Sequence, residues 1–209
     1  MIVEFLGVSG VGKTTIARKI YGELQEKGIE VEWPWNNLYT DKSWLVRNIF
    51  KAIPVVKLNF KQPMWCIKLY KFLRSQGLEK KNIVQMYFNG CYLKYSLSCE
   101  KKSEVVLYDE GVLQYFWAVY LRNNMLPNKD KLQAVIDMFG SPDRLYVIQA
   151  SAEKIYERIV GRGEADEILK NKNVIDKINH MLEVQDMIVG ILCDAENGFC
   201  VEIEKINNN

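Results

Sequence analysis

Apolar residues along this chain form two alternating patterns, short unbroken runs and longer stretches with helical spacing. Ile2–Leu6 is a short apolar run followed by a glycine, which is typical of a buried parallel strand. Residues 14–27 carry apolar positions at helical spacing and stop at Gly28, and 29–33 form a second candidate strand. A strand, a helix and a strand within about thirty residues predict a βαβ unit and hence a parallel sheet.

The remainder of the chain continues this alternation. The segment 43–100 is predicted to be mostly helical, with interruptions near Pro54, Pro63 and Gly77. Further strands are predicted over 105–108, 144–148 and 199–203, and further helices over 113–123, 131–139, 152–160 and 174–195. Because no repeat, low-complexity tract or linker divides the sequence, we expect a single α/β domain, 1–209, with a parallel sheet.

Charge adds one feature to this picture. A composition that is 48% hydrophobic, with a net charge of +2, fits an ordinary soluble domain with one core. Between Lys42 and Lys81, however, ten Lys or Arg residues stand against one acid, Glu79. This stretch is either a solvated helical face or a surface for an anion, such as a phosphorylated substrate or a membrane headgroup. A nucleic acid is the less favoured partner.

The cysteines and the N-terminus bear on the cellular location. The chain has five cysteines, an odd number without a C-x-x-C pair, and a single histidine, which disfavours a zinc site or a disulfide framework. The first residues lack a basic region, and their apolar run is too short for a signal peptide or a membrane span. Both features predict a cytoplasmic protein with reduced thiols.

The segment 7–14, with the sequence GVSGVGKT, matches the phosphate-binding pattern G-x-x-x-x-G-K-[ST]. It follows a strand and opens a helix, where backbone N–H groups can turn toward phosphates and the helix N-terminus carries partial positive charge. We therefore predict that Lys13 reaches the β- and γ-phosphates of ATP and that the Thr14 hydroxyl binds Mg²⁺. The other predicted nucleotide contacts are Gly7, Ser9, Gly10, Val11, Gly12 and Thr15.

A second element lies at the end of the candidate strand 105–108. This apolar run ends at Asp109, and a carboxylate at a strand tip can hold Mg²⁺ directly or through water. Because ligands bind beyond the carboxyl ends of parallel strands, Asp109 is predicted to face residues 7–14, the phosphate-binding loop or P-loop. Glu110 could position water or substrate, or cap the next helix.

This order of motifs resembles the nucleoside and nucleoside-monophosphate kinase branch of the P-loop proteins, thymidylate kinases most closely. The resemblance implies a three-layer P-loop fold with five parallel strands in the order 2-3-1-4-5. It also implies a helical substrate-binding region over about 34–100, a lid over about 157–170, Mg-ATP as the donor and a small-molecule phosphoryl acceptor. Thymidylate kinases are often dimers, so a homodimer is a further implication.

Three more site residues follow from the resemblance alone. Arg158 and Arg162 match the Arg-x-x-x-Arg lid of these kinases, where a closing arginine stabilises the charge on the transferred phosphoryl group. Glu32, in Glu-Trp-Pro, is similar to the acidic general base that deoxynucleoside kinases carry after the second strand. One departure concerns the acceptor, because Glu110 stands where thymidylate kinases have an arginine.

The leading hypothesis is therefore an ATP-dependent kinase of a nucleotide, a nucleoside or a related small molecule. The alternatives are a P-loop NTPase that couples hydrolysis to a conformational change and a non-catalytic protein that binds through the basic stretch. The paired lid arginines favour the kinase. Aromatic residues between 33 and 95 could hold a nucleobase, although rings at helical spacing more often belong to a core.

Overall fold

A parallel β-sheet organises the computed structural model, which describes residues 1–34, 44–98, 103–123, 125–161, 174–194 and 199–208. Its strands are β1 (Ile2–Leu6), β2 (Val31–Glu32), β3 (Val105–Tyr108), β4 (Arg144–Gln149) and β5 (Glu202–Asn207). They lie in the order β2-β3-β1-β4-β5, and each neighbouring pair is parallel. The predicted sheet is confirmed in both order and orientation.

Helices connect these strands. They are α1 (Lys13–Glu26), α2 (Trp44–Lys61), α3 (Pro63–Ser75), α4 (Lys80–Ser98), α5 (Val112–Tyr120), α6 (Lys129–Phe139), α7 (Ala152–Gly161) and α8 (Val174–Cys193). The helices α2 and α3 both pack on α4, which supplies the helical region predicted between the second and third strands. None of the described helices is long and apolar enough to cross a membrane.

The three inner strands explain why the sequence pattern was readable. Every residue of β3 is buried, and β1 and β4 are buried along nearly their whole length. A strand covered on both faces needs apolar residues at consecutive positions, which is the run that the sequence shows. In the register of the sheet, Glu4 of β1 lies opposite Tyr108 of β3. The carboxyl ends of these two strands therefore lie side by side.

Two local predictions were wrong. A break was expected near Pro54, yet α2 runs through it to Lys61. Proline removes one backbone donor, but Val55 and Leu58 next to it are buried in the core, and their burial holds the helix together. The break at Pro63 is confirmed, because this proline begins α3 at a position where a missing N–H costs nothing.

The fifth strand was predicted over 199–203 but lies at Glu202–Asn207. It is an edge strand in which only Ile203 and Ile206 are half-buried and the other positions are exposed, so it has no apolar run to mark its bounds. Its start is set by pairing with β4. Glu202 lies opposite Arg144, with 2.7 Å between the carboxylate Oε2 and the guanidinium Nη2.

The cysteines whose environment is described are free thiols: Cys66, Cys91, Cys193 and Cys200. Cys99 lies outside the described residues. Burial raises the pKa of the Cys91 thiol to about 12, so this side chain stays protonated and behaves as a small apolar group near neutral pH.

A buried hydrogen bond joins Tyr120 of α5 to Gln76, just after the end of α3. The Tyr120 hydroxyl donates to Oε1 of Gln76 at 2.7 Å, and both side chains are buried. We expect Tyr120→Phe to lower the free energy of unfolding by about 1–3 kcal/mol, because the amide oxygen of Gln76 loses this donor. Urea unfolding measures the change. Tyr156→Phe on the exposed side of α7 is the control, expected within about 0.5 kcal/mol of the unchanged protein. Equal losses of unfolding free energy in the two variants would contradict a stabilising role of the Tyr120–Gln76 hydrogen bond.

Candidate nucleotide-binding site

The turn from β1 to α1 can form only with glycine at particular positions. Gly10 has a φ of 86° and Gly12 a φ of 103°, both in the left-handed region that L side chains rarely adopt. At Gly10 a side chain would also meet a neighbour, since an added Cβ would lie 2.7 Å from Cγ1 of Ile159 on α7. The glycine pattern of the motif thus follows from backbone conformation and from close packing.

The N-terminus of α1 is open toward solvent. Its first helical hydrogen bond runs from Ile16 N to Gly12 O at 3.0 Å, and an α-helix provides no backbone acceptor for the N–H groups before this bond. Gly12 is the N-cap and has no side chain that could accept from them. Ser9, Thr14 and Thr15 are exposed at this end of the helix. Such an uncapped N-terminus is a favourable site for phosphate.

Lys13 is held within the same turn. Its ammonium group donates to the carbonyl oxygen of Gly7 at 2.6 Å and lies 3.3 Å from that of Val8. The charge is therefore beside the loop on which phosphates would bind. Contact of Lys13 with the β- and γ-phosphates stays a prediction.

The two predicted metal ligands lie together. The Thr14 hydroxyl donates to Oδ2 of Asp109 at 3.2 Å, across the carboxyl ends of β1 and β3. The other carboxylate oxygen, Oδ1, accepts from the Trp33 indole N–H at 3.2 Å. Both Asp109 and Trp33 are buried. The loop after β3 therefore faces the P-loop with an oriented carboxylate.

The chemistry of this donor pair suits Mg²⁺. Mg²⁺ prefers oxygen ligands and is usually bound by one or two carboxylates together with water and substrate phosphates. Thr14 and Asp109 offer a hydroxyl and a carboxylate, both oxygen donors. Among the described residues, no group of three or more His, Cys, Asp or Glu could hold a metal by itself.

Arg158, predicted as a lid residue, contacts the P-loop backbone. Its guanidinium donates through Nη1 to Val11 O at 3.0 Å and through Nη2 to Asn208 O at 2.8 Å. The Asn208 side chain donates to the same Val11 oxygen at 2.7 Å. Here the arginine connects α7, the P-loop and the C-terminal segment. Its catalytic role stays a prediction, and Arg162 lies outside the described residues.

Glu32 and Glu110 are the two other acids that the sequence associates with this site. Glu32 is half-buried at the end of β2, opposite Val106 of β3, and its role as a base stays a prediction. Glu110 is exposed. The N–H groups at the start of α5, which Glu110 could have capped, instead donate to Glu4.

Two of the aromatic residues considered for a nucleobase make structural contacts, whereas Phe60 and Tyr70 of the same region are exposed. Trp33 packs on Tyr21 of α1 with 5.8 Å between ring centroids, besides its bond to Asp109. The indole N–H of Trp65 donates to Met138 O at 3.0 Å, and its ring meets Phe139 edge-on. The core interpretation is confirmed for Trp33 and Trp65. Other candidate rings, Trp35 and Tyr39, lie outside the described residues.

Three functional contacts escaped the sequence reasoning. Glu4 reads as an interruption of an apolar run, Trp33 as a generic aromatic and Asn208 as part of a polar tail. Each contacts a residue far away in sequence: Glu4 binds the start of α5, Trp33 binds Asp109, and Asn208 binds Val11. A charged residue inside an otherwise buried strand was the one available signal.

Gly12→Ala tests whether the turn holds the nucleotide. The substitution would force a side chain into a left-handed conformation and against the Asn208 amide. We expect nucleotide affinity to fall about 5- to 30-fold, since such strain costs roughly 1–2 kcal/mol. Titration calorimetry with ATP measures it. Gly28→Ala is the matched control, because Gly28 also has a positive φ of 75° but lies at the far end of α1. If Gly28→Ala weakens binding equally, the turn is not the binding site.

Comparison with known proteins bears on these assignments. No family model matches the chain. A probable thymidylate kinase of Sulfurisphaera tokodaii is 25% identical to it over 158 residues, which are 75% of this chain and 67% of that protein.

Solved structures give a similar answer for the fold. A deoxyadenosine kinase from M. mycoides, solved with the products dCMP and a flexible dCDP, superimposes with a TM-score of 0.50 and 20% identity over 98% of this chain and 90% of that chain. A second structure of that enzyme, with dATP bound, gives a TM-score of 0.50 at 16% identity. The predicted resemblance to the P-loop nucleoside and nucleotide kinases is thus confirmed, with similarity to a thymidylate kinase in sequence and to a deoxyadenosine kinase in fold.

Proposed function

We propose that this protein is an ATP-dependent kinase that transfers the γ-phosphoryl group to a nucleotide, a nucleoside or a related small molecule. One observation carries the proposal. The open N-terminus of α1 lies next to the Thr14–Asp109 pair, at the carboxyl edge of the sheet. Donors for phosphate and oxygen ligands for Mg²⁺ are what binding of Mg-ATP requires. The similarity to a thymidylate kinase supports transfer rather than binding alone.

The residues of the site would have separate roles in binding Mg²⁺, binding the phosphates and stabilising the transferred group. Mg²⁺, when bound, supplies neutralisation of phosphate charge, and Thr14 and Asp109 would hold it. The backbone N–H groups at the start of α1 bind the phosphates, and Lys13 brings a positive charge to the same loop. Arg158 and Arg162 would add charge from the lid side as negative charge spreads over the transferred group.

The acceptor would lie on the side of β2 and the helical region. Phosphoryl transfer to a hydroxyl forms a bond from its oxygen to the γ-phosphorus and breaks the bond to the β–γ bridging oxygen, and the hydroxyl proton must go to a base. Glu32, at the end of β2, is our candidate for that base. The exposed Glu110 carboxylate would disfavour a phosphate-bearing acceptor nearby. Both features favour a nucleoside over a nucleoside monophosphate. The free thiols of the described cysteines favour a reducing compartment such as the cytoplasm.

A P-loop NTPase that couples hydrolysis to a conformational change is the second candidate. One observation favours it: Arg158 connects the P-loop directly to α7 and to Asn208, so a change at the loop can reach both segments. This candidate requires hydrolysis that no acceptor accelerates.

A phosphorylation screen distinguishes the two candidates. Mg-ATP is offered with nucleosides, nucleoside monophosphates and phosphorylated sugars, while ADP formation and product mass are measured. We expect ADP formation that depends on an acceptor, nucleosides first, and a loss of at least about 100-fold in Lys13→Ala. Lys27→Ala, just after the end of α1, is the control and should keep full activity. Hydrolysis that no acceptor accelerates would contradict the kinase and support the NTPase.

We also propose that a second copy of the chain covers the corner between α2 and α3. Several large apolar side chains are exposed on these helices: Ile53, Val56, Phe60, Met64 and Ile67. Phe60 is 85% exposed and Met64 is 76% exposed. Helical spacing places both in the middle of the exposed faces, opposite Leu58 and Leu69, while Lys57 and Lys61 lie along one edge. An apolar centre with a charged rim is typical of a protein interface.

Light scattering tests this proposal. We expect the unchanged protein to have the mass of a dimer and Phe60→Glu to have that of a monomer, because a dimer would bury the new charge. Met187→Glu, at an exposed apolar position of α8, is the control and should remain dimeric. A monomeric wild type that sediments with vesicles containing anionic lipid would instead show that this surface meets a membrane.

A further inference from the structure

Glu4 is a buried acid at the centre of the sheet. It belongs to β1, which lies between β3 and β4, and its side chain is 1% exposed. Oε1 accepts from the backbone N–H of Val112 at 2.7 Å, and Oε2 accepts from that of Leu113 at 3.0 Å. These are the first two residues of α5, so a residue of the central strand caps a helix that begins more than a hundred residues later. The positive end of the helix dipole favours a carboxylate at this place.

Gly111 gives Glu4 the space it occupies. An added Cβ at Gly111 would overlap the carboxyl carbon and Oε1 of Glu4. The backbone of Gly111 is extended, with a φ of −91° and a ψ of −158°, so a side chain is excluded by volume and not by conformation. The glycine of Asp109-Glu110-Gly111 is therefore matched to a carboxylate from another strand.

A second contact fixes the same helix to the P-loop. Gln114 is buried near the start of α5, and its Oε1 accepts from the backbone N–H of Gly7 at 3.1 Å. Gly7 is the first residue of the P-loop motif. The first turn of α5 is thus bound to β1 through Glu4 and to the loop that follows β1 through Gln114.

This arrangement bears on Asp109. Its carboxylate lies 3.2 Å from the Thr14 hydroxyl, and its backbone is between the buried strand β3 and the capped start of α5. Only Glu110 and Gly111 separate Asp109 from Val112, whose N–H Glu4 binds. A shift of the α5 N-terminus would move this short connection and change the Thr14–Asp109 distance.

We propose that Glu4 is a positioning residue for the Mg²⁺ site. By capping α5, it holds Asp109 at the distance from Thr14 that a shared metal requires. The inference rests on the proposed Mg-nucleotide site but not on the identity of the acceptor. Residues that orient metal ligands without binding the metal themselves typically contribute about 10–100-fold to metal affinity.

The experiment compares two helix caps. Glu4→Gln keeps the shape of the side chain but places an amide NH₂ where an oxygen now accepts. Asn128→Ala is the matched control, since Asn128 caps α6 by accepting from Lys131 N at 3.1 Å and is not part of the site. ATP affinity is measured by calorimetry, once with Mg²⁺ and once with EDTA. The affinity quotient, which is the ATP affinity with Mg²⁺ divided by that with EDTA, reports on the metal site. Stability is measured separately by urea unfolding.

We expect both variants to unfold at lower urea concentration, because each loses a cap. In Glu4→Gln the affinity quotient should fall about tenfold or more, while affinity in EDTA stays unchanged. In Asn128→Ala the quotient should equal that of the unchanged protein. The proposal is overturned if Glu4→Gln loses stability but keeps the affinity quotient of the unchanged protein. It is also overturned if the unchanged protein binds ATP equally well with and without Mg²⁺.

Glu4→Asp provides a second variant if Glu4→Gln does not fold. It keeps the charge but withdraws the oxygens from Val112 and Leu113, so the quotient should fall in the same way. A full quotient in Glu4→Asp overturns the proposal. Because neither measurement needs an acceptor, a failed phosphorylation screen with a normal Mg²⁺ response would count against the kinase alone.

Discussion

The N–H groups at helix N-termini need acceptors, and the way this protein supplies them decides where a ligand can bind. An α-helix leaves its first N–H groups without partners. In α6 the N-cap residue Asn128 accepts from Lys131. In α5 the acceptor is Glu4 of β1, which accepts from the N–H groups of Val112 and Leu113. In α1 the N-cap is a glycine and offers no side-chain acceptor. Among these three helices, only α1 begins without a side-chain acceptor, which suits it to a phosphate ligand.

The strand order makes this difference useful. Because β1 lies between β3 and β4, the P-loop that follows β1 is next to the Asp109 loop that follows β3. A carboxylate and an uncapped helix N-terminus thus lie side by side at one edge of the sheet. Glu4 acts from inside β1 on the β3 side, so the central strand both precedes the phosphate loop and orients its neighbour.

The sequence was sufficient for features that depend on local pattern. Consecutive apolar residues marked β3 because both faces of that strand are covered. The P-loop could be recognised because its glycines adopt positive φ angles that other residues rarely adopt. It was insufficient where long-range contacts decide. Nothing near Trp33 shows that its N–H meets Asp109, and nothing near Asn208 shows that it meets Val11. The edge strand β5 was misplaced for the same reason, since pairing with β4 sets its bounds.

Arg158 shows why a motif can assign a residue to the correct place before its role is known. Its spacing from Arg162 matches a kinase lid, and the structure does bring it to the P-loop. There it binds the carbonyl oxygen of Val11, which also accepts from Asn208, so two separate segments hold one peptide of the loop. These bonds use two of the five guanidinium N–H groups, so donors remain for a phosphate. The same side chain can therefore hold the loop in place and still bring positive charge toward a transferred phosphoryl group.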